Sequence, residues 1–232
     1  MMQRAFGAAC GLWLCFATTL AAEEHPVVVE LFTSQGCSSC PGADVIFADL
    51  AKQPDVLALA LHVDYWDYIG WTDSFGSPRN TERQKAYARA AGSRTIYTPQ
   101  MIVNGMVRVE GNDPEAVAGA MTVQRGQGSD VALTLTREPG GLRIRATGPE
   151  GMAPVRVQLV RYNPSETVTI EHGENAGRTV TYHNIVTEWQ ALADWTGEPA
   201  LDLLAPLEGD DPAAVLLQRE GPGVIVAAAS LP

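Results

Sequence analysis

The strongest constraint on this chain is the junction from Pro26 to Pro41, where an apolar run meets two closely spaced cysteines and a helix start. Pro26-Val27-Val28-Val29-Glu30-Leu31-Phe32 is short, β-branched and mostly apolar, the pattern of a central strand covered on both faces. Thr33 to Gly36 reads as a polar turn. Ser38-Ser39-Cys40-Pro41 can open a helix, because serine caps well and proline fits the first turn. The helix continues through Val45, Ile46, Phe47 and Leu50 and stops near Gln53-Pro54. The junction therefore sets Cys37 and Cys40 between the carboxyl end of a strand and the leading end of a helix, where open α/β sheets place their sites.

The rest of the first half extends this pattern. Val56 to Val63 is a second apolar strand, followed by an aromatic loop from Asp64 to Trp71. Thr81 to Ala91 is a polar helix ending at Gly92. Gln100–Val103 and Met106–Val109 are short strands, and Asn104-Gly105 between them is a strong hairpin turn. Pro114 to Met121 is a closing helix capped by Asp113. The order β-α-β-α-β-β-α predicts an α/β domain over residues 23–123. A Gly-rich stretch, 124–130, reads as a linker. Beyond it the apolar period changes to two, in short runs at 131–136, 142–146, 155–162, 167–171, 178–186, 214–218 and 224–228. Short strands with Gly/Pro turns predict a small all-β, sandwich-like domain over 131–232.

Charge and the N-terminus narrow the compartment and the partners. The net charge is -11, with 16 Lys+Arg against 27 Asp+Glu, which argues against nucleic acid and against an anionic membrane surface. Met1 to Arg4 is a short positive region, Ala5 to Leu20 is uncharged and apolar, and small residues precede Glu23-Glu24. Residues 1–22 are thus expected to be a cleaved signal peptide, and the mature protein to be soluble and periplasmic or secreted. Cys10 and Cys15 would leave with it, so only Cys37 and Cys40 remain of the four cysteines.

A pair two residues apart closes too short a loop to restrain the unfolded chain much, so its role is chemical rather than structural. Unpaired N–H groups at the helix start favour a thiolate on Cys37, and only a thiolate attacks a disulfide. Cys37 is assigned attack and Cys40 resolution. The exchange needs no cofactor, because the cysteines hold the electrons; the partners are protein thiols or disulfides and a further redox protein. An inert disulfide is the bland alternative. A soft ion such as Cu(I) on the same cysteines, with Met101 nearby, is a second, and a non-catalytic interaction protein is a third. A zinc site lacks its further ligands, since there is no second CxxC and none of the four histidines has ligand spacing to another. Whether the pair oxidises, reduces or isomerises depends on its potential; Ser38 and Ser39 add no positive charge, which leans weakly toward reduction. In the aromatic loop, Trp66, Asp67 and Trp71 are candidates for substrate binding, with packing onto the sheet as the alternative. His62 reads as a strand residue, and the second half is assigned no chemistry.

Strand, CxxC, helix, and then Thr98-Pro99 before a hairpin resembles the thioredoxin fold. That resemblance implies a cis Pro99 against the dithiol, with the backbone of Thr98 open to pair with a substrate strand. It also implies an acid in the first strand that accepts the proton of the resolving cysteine. Glu30 is the candidate, one residue further from the first cysteine than the usual pattern, and a surface glutamate is the alternative. Glu30-Leu31-Phe32-Thr33-Ser34-Gln35-Gly36-Cys37-Ser38-Ser39-Cys40-Pro41, Val63-Asp64-Tyr65-Trp66-Asp67, Tyr97-Thr98-Pro99-Gln100-Met101, Gly105, Glu174-Asn175-Ala176-Gly177-Arg178-Thr179-Val180 and Asn184-Ile185-Val186 resemble a family of secreted thioredoxin-like proteins of unknown function. The likeness spans nearly the whole mature chain.

Overall fold

The computed structural model describes residues 25–125 and 127–231. The expected signal peptide, with Cys10 and Cys15, lies outside the described residues. In chain order the elements are β1 (Val27–Thr33), α1 (Pro41–Leu50), β2 (Val56–His62), α2 (Pro78–Ala90), β3 (Gln100–Val103), β4 (Val107–Glu110) and α3 (Pro114–Arg125). Then follow β5 (Ala132–Glu138), β6 (Gly141–Thr147), β7 (Val155–Thr169), β8 (Thr179–Trp195), β9 (Leu201–Ala205), β10 (Ala213–Arg219) and β11 (Ile225–Leu231).

Strands from both halves share one eight-stranded sheet, in the order β11-β10-β7-β8-β2-β1-β3-β4. β1 and β2 are parallel, and β3 runs antiparallel to β1. The halves meet where β8 joins β2 in parallel at a single paired position, Ala60 with Ile185. Asn184 supplements that seam by donating Nδ2–H to the Ala58 carbonyl at 2.9 Å. β5, β6 and β9 form a separate three-stranded sheet. It packs on the other end of the large sheet, where Leu133, Leu142 and Ile144 meet Val157, Leu159, Val215 and Leu217.

β1 is buried along its whole length because side chains on both faces find a core. Val27, Val29 and Leu31 pack with Ala43 and Phe47 of α1 and Val117 and Met121 of α3. Val28 and Phe32 point the other way, toward Tyr87 of α2 and toward Val160, Val186 and Leu216 from the second half. Each such buried Val, Leu or Phe contributes about 1.5–3 kcal/mol. The second core is thus made jointly by residues before and after the linker stretch.

The hairpin turn has the expected geometry: Asn104 and Gly105 both have positive φ, 47° and 72°, as a two-residue turn demands. α2 begins three residues ahead of its expected start, because the Ser77 hydroxyl accepts the Arg79 N–H and Pro78 occupies the first turn. β7 is continuous where the sequence suggested two strands split near Asn163-Pro164. Pairing with β10 stops at Arg161, so β7 is an edge beyond it, and the missing N–H of Pro164 costs no ladder bond.

Candidate functional site

β1 delivers the chain to a tight loop at its carboxyl end. Gly36 N–H bonds the Ser34 hydroxyl at 3.1 Å, and Cys37 N–H bonds the Ser34 carbonyl at 3.1 Å. Cys40 N–H then reaches the Cys37 carbonyl at 3.2 Å, and Cys40 is the N-cap of α1, with Pro41 in its first turn. Cys37 and Cys40 form a disulfide, with their Cα atoms 5.4 Å apart. Ser38 and Ser39 between them are exposed. The cysteines are not: Cys37 keeps 3% of its surface and Cys40 none.

Two segments lie against the loop that carries them. The first is the aromatic loop, with a 3-10 turn at Asp67–Ile69. A side chain at Gly36 would meet Trp66 Cβ at 3.3 Å and Ile69 Cδ1 at 3.4 Å, so glycine lets the loop lie close to the dithiol. Trp66 donates its indole N–H to the Thr98 hydroxyl at 2.7 Å, and Trp71 donates to Gln35 Oε1 at 2.7 Å. Asp67 accepts the Asp73 N–H at 3.1 Å, and burial raises its carboxyl above the ordinary range. All three candidate binding residues therefore have partners within the chain, while Tyr68 beside them is 80% exposed. The second segment is the turn between β7 and β8. There Asn175 donates from Nδ2 to the carbonyls of Gln35 and Cys37, both at 2.9 Å.

The Thr98–Pro99 peptide is cis, and Pro99 is buried. β3 pairs with β1 as far as Gln100 opposite Phe32, so Pro99 enters the sheet at the end of β1 that carries the dithiol loop. Met101 is fully buried in the core under α1.

Glu30 lies on the opposite face of β1 from α1. Arg83 of α2 grips it with two bonds, Nε at 2.5 Å and Nη2 at 2.9 Å, and the Tyr87 hydroxyl adds a third at 2.5 Å. Burial works against the charge on Arg83, but Glu30 and Tyr87 outweigh it and hold the guanidinium above its ordinary range. Strand alternation explains the separation: Val29 and Leu31 face α1, so Glu30 cannot.

A different acidic cluster lies on the α1 side, and the sequence did not single it out. Thr33 and His62 are lateral neighbours in register and so share a face. The Thr33 hydroxyl donates to Asp44 of α1 at 2.9 Å. Asp44 is one helical turn beyond Cys40, whose carbonyl accepts its N–H at 3.0 Å. Burial of the inward-facing carboxyl pushes Asp44 up to about 6, against the pull of His62 and Thr33. His62 Nδ1 donates to Asp73 Oδ2 at 2.8 Å, both side chains being fully buried. Burial would raise Asp73 too, but the His62 bond and charge, with the amides of Gln35 and Phe75, hold it below its ordinary value. Among the described residues His62 Nε2 has no hydrogen-bond partner, and the rings of Phe75 and Tyr182 stand edge-on to the imidazole at 5.2 and 4.8 Å. Burial raises the Tyr182 phenol strongly. One signal for this cluster was available: Asp44 stands four residues after Cys40, on the same helix face.

A family model described as protein of unknown function (DUF1223) matches residues 28–218. A structural-genomics crystal structure of a protein from Agrobacterium tumefaciens is 35% identical, covers 91% of this chain and 96% of its own, and superposes with a TM-score of 0.78. HBP35 of Porphyromonas gingivalis is 16% identical over 90% of this chain and 75% of its own, with a TM-score of 0.65, a likeness of fold alone. No curated protein matches. The family match over most of the chain, joined to the 35% identity with the Agrobacterium protein, makes this chain a member of the DUF1223 family.

Proposed function

We propose that the protein is an exported thiol–disulfide oxidoreductase with a thioredoxin-like N-terminal half, acting on protein thiols or disulfides through Cys37 and Cys40. The observation that carries the reading is the Cys37–Cys40 bond at the leading end of α1, one helical turn from Asp44, whose carboxyl is pushed up to about 6 by burial. The cis peptide before Pro99 and the strand–dithiol–helix order are consistent with it.

In the reducing direction, the Cys37 thiolate attacks a substrate disulfide, forming one S–S bond as the substrate's own breaks and its departing sulfur takes a proton. Cys40 then loses its proton and displaces the substrate from Cys37, leaving the substrate reduced and the pair oxidised. Asp44, one turn from Cys40 and ionised above about pH 6, is the group we assign to receive that proton. His62 and Asp73 set its charge environment. Glu30, held by Arg83, serves stability in this scheme.

The test is a Cys40→Ser variant exposed to a disulfide-bearing protein such as insulin. A mixed disulfide on Cys37 is expected to accumulate, and Cys37→Ser should abolish it. Failure of the wild-type bond to cycle in a glutathione buffer, when the unfolded chain does cycle, would overturn the assignment.

A further inference from the structure

The closed bond has no open approach. A thiolate must reach one sulfur of the disulfide from outside, and Cys37 and Cys40 retain 3% and 0% of their surface. Some element has to move before any exchange. The core strands are buried, and α1 is seated on them through Ala43, Phe47 and Leu50. The aromatic loop is fastened at several points, by Trp66 to Thr98, Trp71 to Gln35, and Asp73 to Asp67. The turn between β7 and β8 reaches the dithiol loop through the two Asn175 bonds, with the His172 ring 6.3 Å from that of Trp71. Glu171, His172, Gly173, Glu174, Ala176 and Gly177 are all exposed, and only Asn175 is buried, at 3%.

Asn175 is an unusual fastening. Both groups it meets, the carbonyls of Gln35 and Cys37, are acceptors, so its NH2 must face them and its Oδ1 must face away. That Oδ1 is buried and has no partner among the described residues. A buried acceptor without a donor carries a penalty that disappears when water reaches it. Lifting the turn loses two hydrogen bonds and hydrates one orphan, so the closed and open arrangements lie closer in free energy than the two bonds alone would suggest.

We propose that the tip of the β7–β8 hairpin, residues 171–178, is a movable cover on the dithiol, and that Asn175 is the latch that positions the Cys37 loop beneath it. The second half of the chain thereby governs which thiols and disulfides reach Cys37. This rests on the oxidoreductase reading above. A contact at the tip supplies a second handle: Gly173 has φ +78°, and a side chain there would press on Trp71 Cβ at 3.2 Å.

The experiment uses the full chain in its oxidised form and follows reduction by dithiothreitol. The attacking thiolate bonds to Cys37, Cys40 leaves and is protonated, and the second thiol of the reagent displaces Cys37 as the reagent closes to its cyclic disulfide. Asn175→Ala, which cuts the latch, and Gly173→Ala, which wedges the tip, should each speed this reaction roughly tenfold. Each should also shrink the advantage of dithiothreitol over a bulky protein thiol, which a general loss of packing far from the tip would not do. In the wild type, hydrogen exchange at 171–178 should be faster than in the strands the tip joins, a readout that needs no variant. A wild-type bond that reduces readily, with both variants unchanged and the tip as protected as β7, overturns the cover while leaving the oxidoreductase standing. A folded protein whose bond resists reduction in every form overturns both.

Discussion

Two buried polar clusters flank β1, one on each face, and they are completed to different degrees. On the α2 face, Glu30 is held by Arg83 and Tyr87, and the network runs on without a gap. Gln218 bridges Arg83 and Tyr87, Gln158 bonds Gln218, Trp189 bonds Gln158, and the Arg83 guanidinium lies 3.8 Å over the Trp189 ring. On the α1 face, Asp44, His62 and Asp73 share the space beneath the dithiol, with His62 Nε2 left bare. Among the described residues, three buried side-chain polar atoms lack partners, and two of them are on His62, which bonds Asp73, and on Asn175, which bonds the Cys37 carbonyl. A saturated network fixes elements in place. An unsaturated one keeps free energy available for a change of protonation or of contacts.

The comparison breaks first, if it is wrong, at Arg83. Arg83→Leu strands the Glu30 carboxylate in the core, and the loss of stability should be about 3–5 kcal/mol, measured by urea unfolding. Alkylation of Cys37 in the reduced, folded fraction should not change; a slowed reaction would mean that the α2 cluster takes part in the chemistry after all. Glu30→Gln is the milder form, with lower stability and an unaltered pH profile.

Asp44→Asn should act in the opposite direction. The carboxyl keeps its proton to about pH 6 in the fold, but releases it from 3.8 when unfolded. Its contribution to stability is therefore complete below pH 3.8 and is lost as the pH rises through 6. The asparagine variant should escape that loss and be more stable at pH 7 by roughly 1–3 kcal/mol, with the gain gone at pH 3.5. It should also lose the pH dependence near 6 in the resolving step, seen in stopped-flow release of a mixed disulfide. A less stable variant at pH 7 would assign Asp44 to the saturated kind of cluster.

Thr33→Val is the finest probe. It removes one hydrogen bond, at a cost of about 1 kcal/mol, and with it an influence that lowers Asp44. The midpoint of the resolving step should move to higher pH. No movement would separate Asp44 from that step.

Much of the first half was legible from residue pattern. The all-buried β1, the helix opened by Pro41 and the turn at Asn104-Gly105 follow from apolar runs and special backbone residues, which act locally. The dithiol was legible for the same reason. Its surroundings were not, because they are assembled across the chain: Asn175 reaches Cys37 over 138 residues, and His62 meets Tyr182. β9 passed unmarked, since Leu201-Asp202-Leu203-Leu204-Ala205 is too short and mixed to stand out. Glu30 drew notice as an acid in a buried strand, but the face it occupies depends on where α1 and α2 dock.

The seam at Ala60 and Ile185 bears on how the molecule can be divided. A fragment ending at the linker would leave β2 as a bare edge, with its amides seeking another strand. Leu57, Leu59 and Leu61 would lose Val160, Val186 and Leu216 and become a sticky face. Such a truncation would yield aggregate rather than a small folded domain, so any dissection of the Cys37–Cys40 pair has to retain the whole sheet.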